Sequence, residues 1–156
     1  MQAIFTQSIH INALPDTVWM VLTNPDKIEQ YMYGCRMERP WEEGHPVEYM
    51  VEQDGQPVLM VKGWVVRVEP PFYLEHTVFP AKSTTMEDVP ENYLTVSYTI
   101  RVKGNETELT VTQKDFTKVA EGEKRYDSVV NGWAGTLPKI KELAEADAYK
   151  YMPTGS

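Results

Sequence analysis

The chain has 156 residues, 42% of them hydrophobic, with 23 acidic and 15 basic side chains and a net charge of −8. That length suits one domain, and the apolar content is too high for a disordered chain. The acidic surplus and scattered Lys/Arg exclude a phosphate-reading nucleic-acid binder and disfavour anionic membranes, and no apolar stretch approaches the roughly 20 residues that span a bilayer.

The first predicted element is a half-buried strand over Ile4–Asn12, with Phe5, Ile9 and Ile11 on one face. Two short helices follow. Pro15-Asp16-Thr17 puts proline in a first turn, where its missing N–H costs nothing, and an acid against the positive helix end. Val18, Trp19 and Leu22 then form one apolar stripe. Asn24-Pro25-Asp26 repeats the device, with Asn24 as cap and Ile28 inward. Thr23-Asn24-Pro25 ends the first helix and Gly34 the second.

From Glu43 the apolar period becomes two. Val47, Tyr49 and Val51 share a face, and Asp54-Gly55 signals a hairpin because glycine accepts positive φ. The return run Val58–Val68 is apolar on both faces, and Gly63 within it predicts a bulge or sharp bend. Pro70-Pro71 ends that strand, since neither residue can donate to a ladder. Leu74, His76 and Val78 form the next inward set. The polar connection from Pro80 to Pro90 is the candidate mobile loop.

Val96, Tyr98 and Ile100 alternate in the following strand, Gly104-Asn105 turns the chain, and Leu109 and Val111 bring it back. Beyond Phe116 the apolar positions Tyr126, Val129, Val130, Trp133, Leu137, Ile140 and Ala144 step by three and four, as in a helix with one buried stripe. Pro138 predicts a kink or a break within it. The expected organisation is one domain over residues 1–149, with a frayed tail at 150–156.

In order along the chain stand Ala13-Leu14-Pro15, Val18-Trp19, Leu22-Thr23-Asn24-Pro25, Gly44, Gly63, Pro70-Pro71, Leu74, the Gly104–Leu109 turn and Gly132-Trp133. As an ordered set they resemble the START-like (SRPBCC) superfamily, in the branch similar to the C-terminal domain of the heat-shock-protein ATPase activator. The resemblance covers nearly the whole chain. It implies an α+β helix-grip fold: a curved antiparallel sheet of about six or seven strands, two short helices and one long C-terminal helix. It also implies a cavity that in relatives holds lipids, sterols, polyketides or other hydrophobic molecules. This chain departs from the pattern at Tyr31-Met32, where a tryptophan often stands, at Val78, a commonly aromatic position, and at Gln113, which replaces a frequent histidine.

No nucleophile elbow, phosphate-cradling loop or dinucleotide fingerprint is present. His10, His45 and His76 do not stand at metal-ligand spacings, so no metal and no cofactor are expected. His10 is read as solvent-facing and His45 as a turn residue, while His76 shares its face with Leu74 and Val78. Cys35 has no partner for a disulfide, which suits a reducing compartment, most simply the cytoplasm. The start, Met1-Gln2-Ala3-Ile4-Phe5, lacks a basic region followed by an apolar run, so no secretory leader is expected.

The candidate ligand-binding set is therefore Tyr49, Val65, His76, Tyr98 and Trp133, all expected on the concave face or the helix that covers it. The leading reading is non-catalytic binding of a small hydrophobic molecule between sheet and terminal helix. A cyclase or aromatase-type enzyme using His76 and Tyr98 is an alternative, as is an interaction module with a chaperone or a second copy as partner.

Overall fold

The computed structural model describes residues 2–150, with side chains through Ala148. Strand β1 (Ile4–Ile11) leads into helices α1 (Pro15–Thr23) and α2 (Pro25–Tyr31). Strands β2 (Pro46–Gln53), β3 (Gln56–Glu69), β4 (Tyr73–Pro80), β5 (Leu94–Lys103) and β6 (Glu106–Lys114) follow, and helix α3 (Gly122–Lys150) closes the order. The six strands form one antiparallel sheet in the order β1-β6-β5-β4-β3-β2, so the first strand pairs with the last. This is the expected α+β helix-grip fold. No helix among the described residues is long and apolar enough to cross a membrane.

Local signals account for the short helices. The Asn24 side chain accepts from the backbone N–H of Asp26 at 2.9 Å and of Lys27 at 3.4 Å, while Pro25 opens α2. Leu14, in contrast, caps α1 with no side-chain bond, so its proline and Asp16 carry that start. Tyr33 (φ 54°) and Gly34 (φ 84°) both adopt left-handed backbone and turn the chain away after α2. A left-handed tyrosine costs about 1–2 kcal/mol, which the surrounding fold must offset.

Two departures from strict alternation bend the sheet. The β2/β3 register shifts between Tyr49 and Met50, where β3 carries one extra residue, and Val51 beyond the shift is partly buried against the core. The β3/β4 register shifts between Val65 and Arg67. Gly63 has a different role from a simple bulge: a Cβ there would lie 1.9 Å from the Thr77 carbonyl oxygen. Thr77 also accepts from the Trp64 N–H through Oγ1 at 3.0 Å, so β3 and β4 meet at a point only glycine permits.

The core lies between the sheet and the helices. Trp133, Leu137, Ile140 and Ala144 on α3 are buried, together with Val18, Val21, Leu22 and Ile28 on the short helices. Pro138 does not break α3, which is helical from Gly122 to Lys150. Proline removes one N–H and leaves the Ala134 carbonyl without its donor, but both residues are exposed and water can replace the bond. The first turn of α2 and the C-terminal end of α3 are joined by an ion pair: Lys27 Nζ lies 3.2 Å from Asp147 Oδ1 and 3.1 Å from Oδ2. Apart from Lys150, the last residue of α3, the expected tail lies outside the described residues.

Candidate functional site

Pairing across the sheet sets Val65, His76, Val96, Gln113 and Phe5 in one row over β3, β4, β5, β6 and β1. Directly paired residues point to the same side, so the row forms a continuous inner wall. The wall is incompletely covered by α3. A cavity of about 190 Å³ remains, bounded on the sheet side by Tyr49, His76, Val96, Tyr98 and Gln113, and on the helix side by Val129, Gly132 and Trp133. A Cβ at Gly132 would meet nothing within 4 Å, so this glycine leaves space instead of allowing close packing.

Four of the five candidates thus come together. His76 lies 6.2 Å from Tyr49 and 6.0 Å from Tyr98 between ring centroids, and Tyr98 meets Trp133 at 5.9 Å. Val65 is fully buried and pairs directly opposite His76, but it is not part of the cavity wall. The sequence pattern assigns Val65 to the right face; it does not say where along that face the void falls.

His76 has a defined tautomer. Its Nδ1 lies 3.1 Å from the Thr77 carbonyl oxygen, which can only accept, so Nδ1 carries the proton. Nε2 is then an acceptor, and it is buried with no hydrogen-bond partner among the described residues. Burial lowers the imidazole pKa to about 4, opposed by the Thr77 bond, so the ring is neutral at physiological pH. Trp41 packs against the imidazole with ring centroids 5.4 Å apart.

Burial likewise pushes the Tyr49 and Tyr98 phenols well above their ordinary range, which keeps both as neutral hydroxyls. Gln113 Oε1 accepts from the Trp133 indole N–H at 3.1 Å. An indole nitrogen only donates, so this bond fixes the amide orientation and leaves the Gln113 NH₂ as a donor at the cavity edge.

Outside this chamber lies a wider cleft of about 700 Å³ under the β4–β5 connection. The two spaces share Met32, Tyr33, Val61, Val78, Gln113 and Val129, so the inner chamber opens into the outer one. Tyr33 stands at the junction, its hydroxyl donating to the Gly132 carbonyl at 3.3 Å. The connection expected to be mobile is cross-linked to its surroundings. Asp88 pairs with Lys62 and accepts from Tyr93 at 2.7 Å, and Arg125 donates to the Asn92 carbonyl at 2.6 Å.

Tyr33, Trp41 and Arg125 escape the sequence reading, and Met32 enters it only as a departure from the family pattern, not as a wall of the cavity. They sit on helix ends and loops, where no apolar period marks a facing direction; Gly34, as a helix stop, is the one local signal nearby. The remaining candidates lie elsewhere. His10 is exposed beside Glu106 at 3.2 Å, and His45 is half-buried beside Glu42 at 3.2 Å. Burial raises the Cys35 thiol pKa, which works against a thiolate nucleophile. Among the described residues no three His, Cys, Asp or Glu side chains converge as metal ligands would.

Comparison with solved structures finds the same architecture repeatedly. The Cytophaga hutchinsonii protein ChR145 is 26% identical with a TM-score of 0.72, over 95% of this chain and 97% of that one. MLL2253 from Mesorhizobium loti is 21% identical with a TM-score of 0.71, over 92% and 97%. PFC0360w, described as an HSP90 activator from Plasmodium falciparum, is 16% identical with a TM-score of 0.66, over 91% and 96%. The search of curated proteins finds no match. The family model described as "Activator of Hsp90 ATPase homolog 1-like protein" matches residues 12–145. This chain belongs to that family.

Proposed function

We propose that residues 1–149 act as one domain that binds a small hydrophobic molecule between the sheet and α3, without catalysing a reaction. The observation that carries this reading is the apolar chamber of about 190 Å³ beside His76, Tyr98 and Trp133, open to a wider cleft. An apolar cavity of about 150 Å³ is enough to take benzene, so the inner chamber suits one ring or a short alkyl chain, with the rest of the ligand in the cleft. Desolvation supplies the affinity at about 25 cal/mol per Å² of apolar surface, and Gln113 with the two phenols supplies orientation. Lipid, flavonoid and polyketide panels tested by thermal shift should include members that raise the melting temperature. Their failure at saturating concentration, with Gly132→Leu as indifferent as the wild type, ends the reading.

Catalysis at the same place has less support. An imidazole with a pKa of about 4 is a weak base at neutral pH, and His76 and Tyr98 stack without a hydrogen bond between them.

A second reading follows from the family's description, which names an Hsp90 activator. In it the outer surface docks on that chaperone. Addition of the protein to purified Hsp90 should then raise ATP turnover, and an unchanged rate removes this reading. The single buried Cys35 suits a reducing compartment, and we place the protein in the cytoplasm on that ground.

A further inference from the structure

The outer cleft carries an unbalanced set of charges. The chain as a whole has a net charge of −8, yet this wall presents Lys82, Lys124 and Arg125 against one acid, Glu121. Glu121 is already engaged: Oε2 accepts from Thr85 Oγ1 at 2.5 Å, and Oε1 lies 3.9 Å from Lys124 Nζ. Arg125 is half-buried and forms no ion pair among the described residues. Its fork is held in place from two sides, by the Asn92 carbonyl at 2.6 Å and by the Phe79 ring 5.9 Å from the guanidinium carbon.

Withdrawing a guanidinium from water is costly: burial depresses the Arg125 pKa, and the Glu121 charge nearby, not in direct ion-pair contact, only partly opposes that. The N–H groups not used by Asn92 remain a planar donor fork, the geometry that matches a carboxylate. Glu121 on the same wall repels a second negative charge, which favours a monoanion over a phosphate. The apolar chamber lies through the shared opening at Tyr33 and Val129.

We propose that the pocket takes an amphipathic organic monocarboxylate, its ring or short alkyl chain in the inner chamber and its carboxylate on Arg125 in the outer cleft. The inference rests on the binding reading above and adds a charged end to the ligand.

Calorimetric titration of the full chain with phenylbutanoate and decanoate, each beside its primary amide, tests it. The amide keeps the shape and removes the charge. Each acid should bind about tenfold or more tightly than its amide. Arg125→Gln should bring the acid down to the amide's level, with Arg125→Lys retaining part of the difference. Equal binding of acid and amide to the wild type overturns the proposal and requires no variant to fold. If Gly132→Leu then abolishes binding of both, the pocket reading survives and only the carboxylate is lost. Absence of binding by all four probes overturns both.

Discussion

The Trp133 indole N–H on α3 donates to Gln113 Oε1 on β6 at 3.1 Å, and this bond ties the long helix to the sheet from inside the buried face. Trp133→Phe keeps an aromatic ring but leaves a buried amide oxygen without its donor. The expected loss is about 2–4 kcal/mol, from the unsatisfied acceptor plus the smaller ring. Pairing it with Gln113→Leu should cost less than the sum of the two single changes. Urea unfolding of all four proteins measures this coupling, and strict additivity would show that the bond contributes nothing.

His76 makes stability depend on acid. Its pKa falls from about 6.5 unfolded to about 4 folded, so the unfolded chain binds more protons between those values. Stability is therefore complete above pH 6.5 and declines as pH falls toward 4, by a total on the order of 3 kcal/mol. His76→Leu should flatten the difference over that window in denaturation series measured from pH 7 to pH 4. Parallel curves for the two proteins defeat the assignment.

Gly63 and Gly135 should respond to alanine in opposite directions. At Gly63 the new Cβ would sit 1.9 Å from the Thr77 carbonyl oxygen, so β3 and β4 must separate. A loss of about 3 kcal/mol or a failure to fold is expected. At Gly135 the Cβ meets nothing within 4 Å on an exposed helical turn, and alanine should add about 1 kcal/mol. Thermal unfolding reads both.

Asp147 is 6% exposed at its side chain and pairs with Lys27, which is 22% exposed. Oδ1 accepts the hydrogen bond at 3.2 Å, while Oδ2 is near the ammonium without bonding geometry. Asp147→Ala leaves Lys27 without its counter-charge in a partly buried place, and a loss of about 2 kcal/mol is expected because water still reaches the lysine. Added salt should change the wild type little. An alanine variant as stable as the parent shows the pair to be neutral.

Much of the architecture was legible because its determinants are local. Asn24 capping and Pro25 opening act within one turn of α2. Asp54-Gly55 and Gly104-Asn105 turn hairpins through positive φ at Asp54, Gly55 and Gly104. Period-two apolar residues then mark one face of β4 and β5, so the inward setting of His76 and Tyr98 could be read directly. Two details lay beyond local pattern: Val51, on the face of Val47 and Tyr49, is only partly buried against the core, and Pro138 does not break α3, where it lies on an exposed face.

The amino-acid order by itself determined the elements, their succession and the face each one buries, because those depend on neighbours within a few residues. Only the tertiary structure decided that Val65 stays outside the chamber, that His76 turns Nδ1 to its own strand, and that Arg125 meets a cleft walled by Phe79 and Tyr33. Such features rest on distances between atoms far apart in the chain, and on how completely α3 fills the curve of the sheet. Packing volume is settled when the layers meet, and no local pattern encodes it.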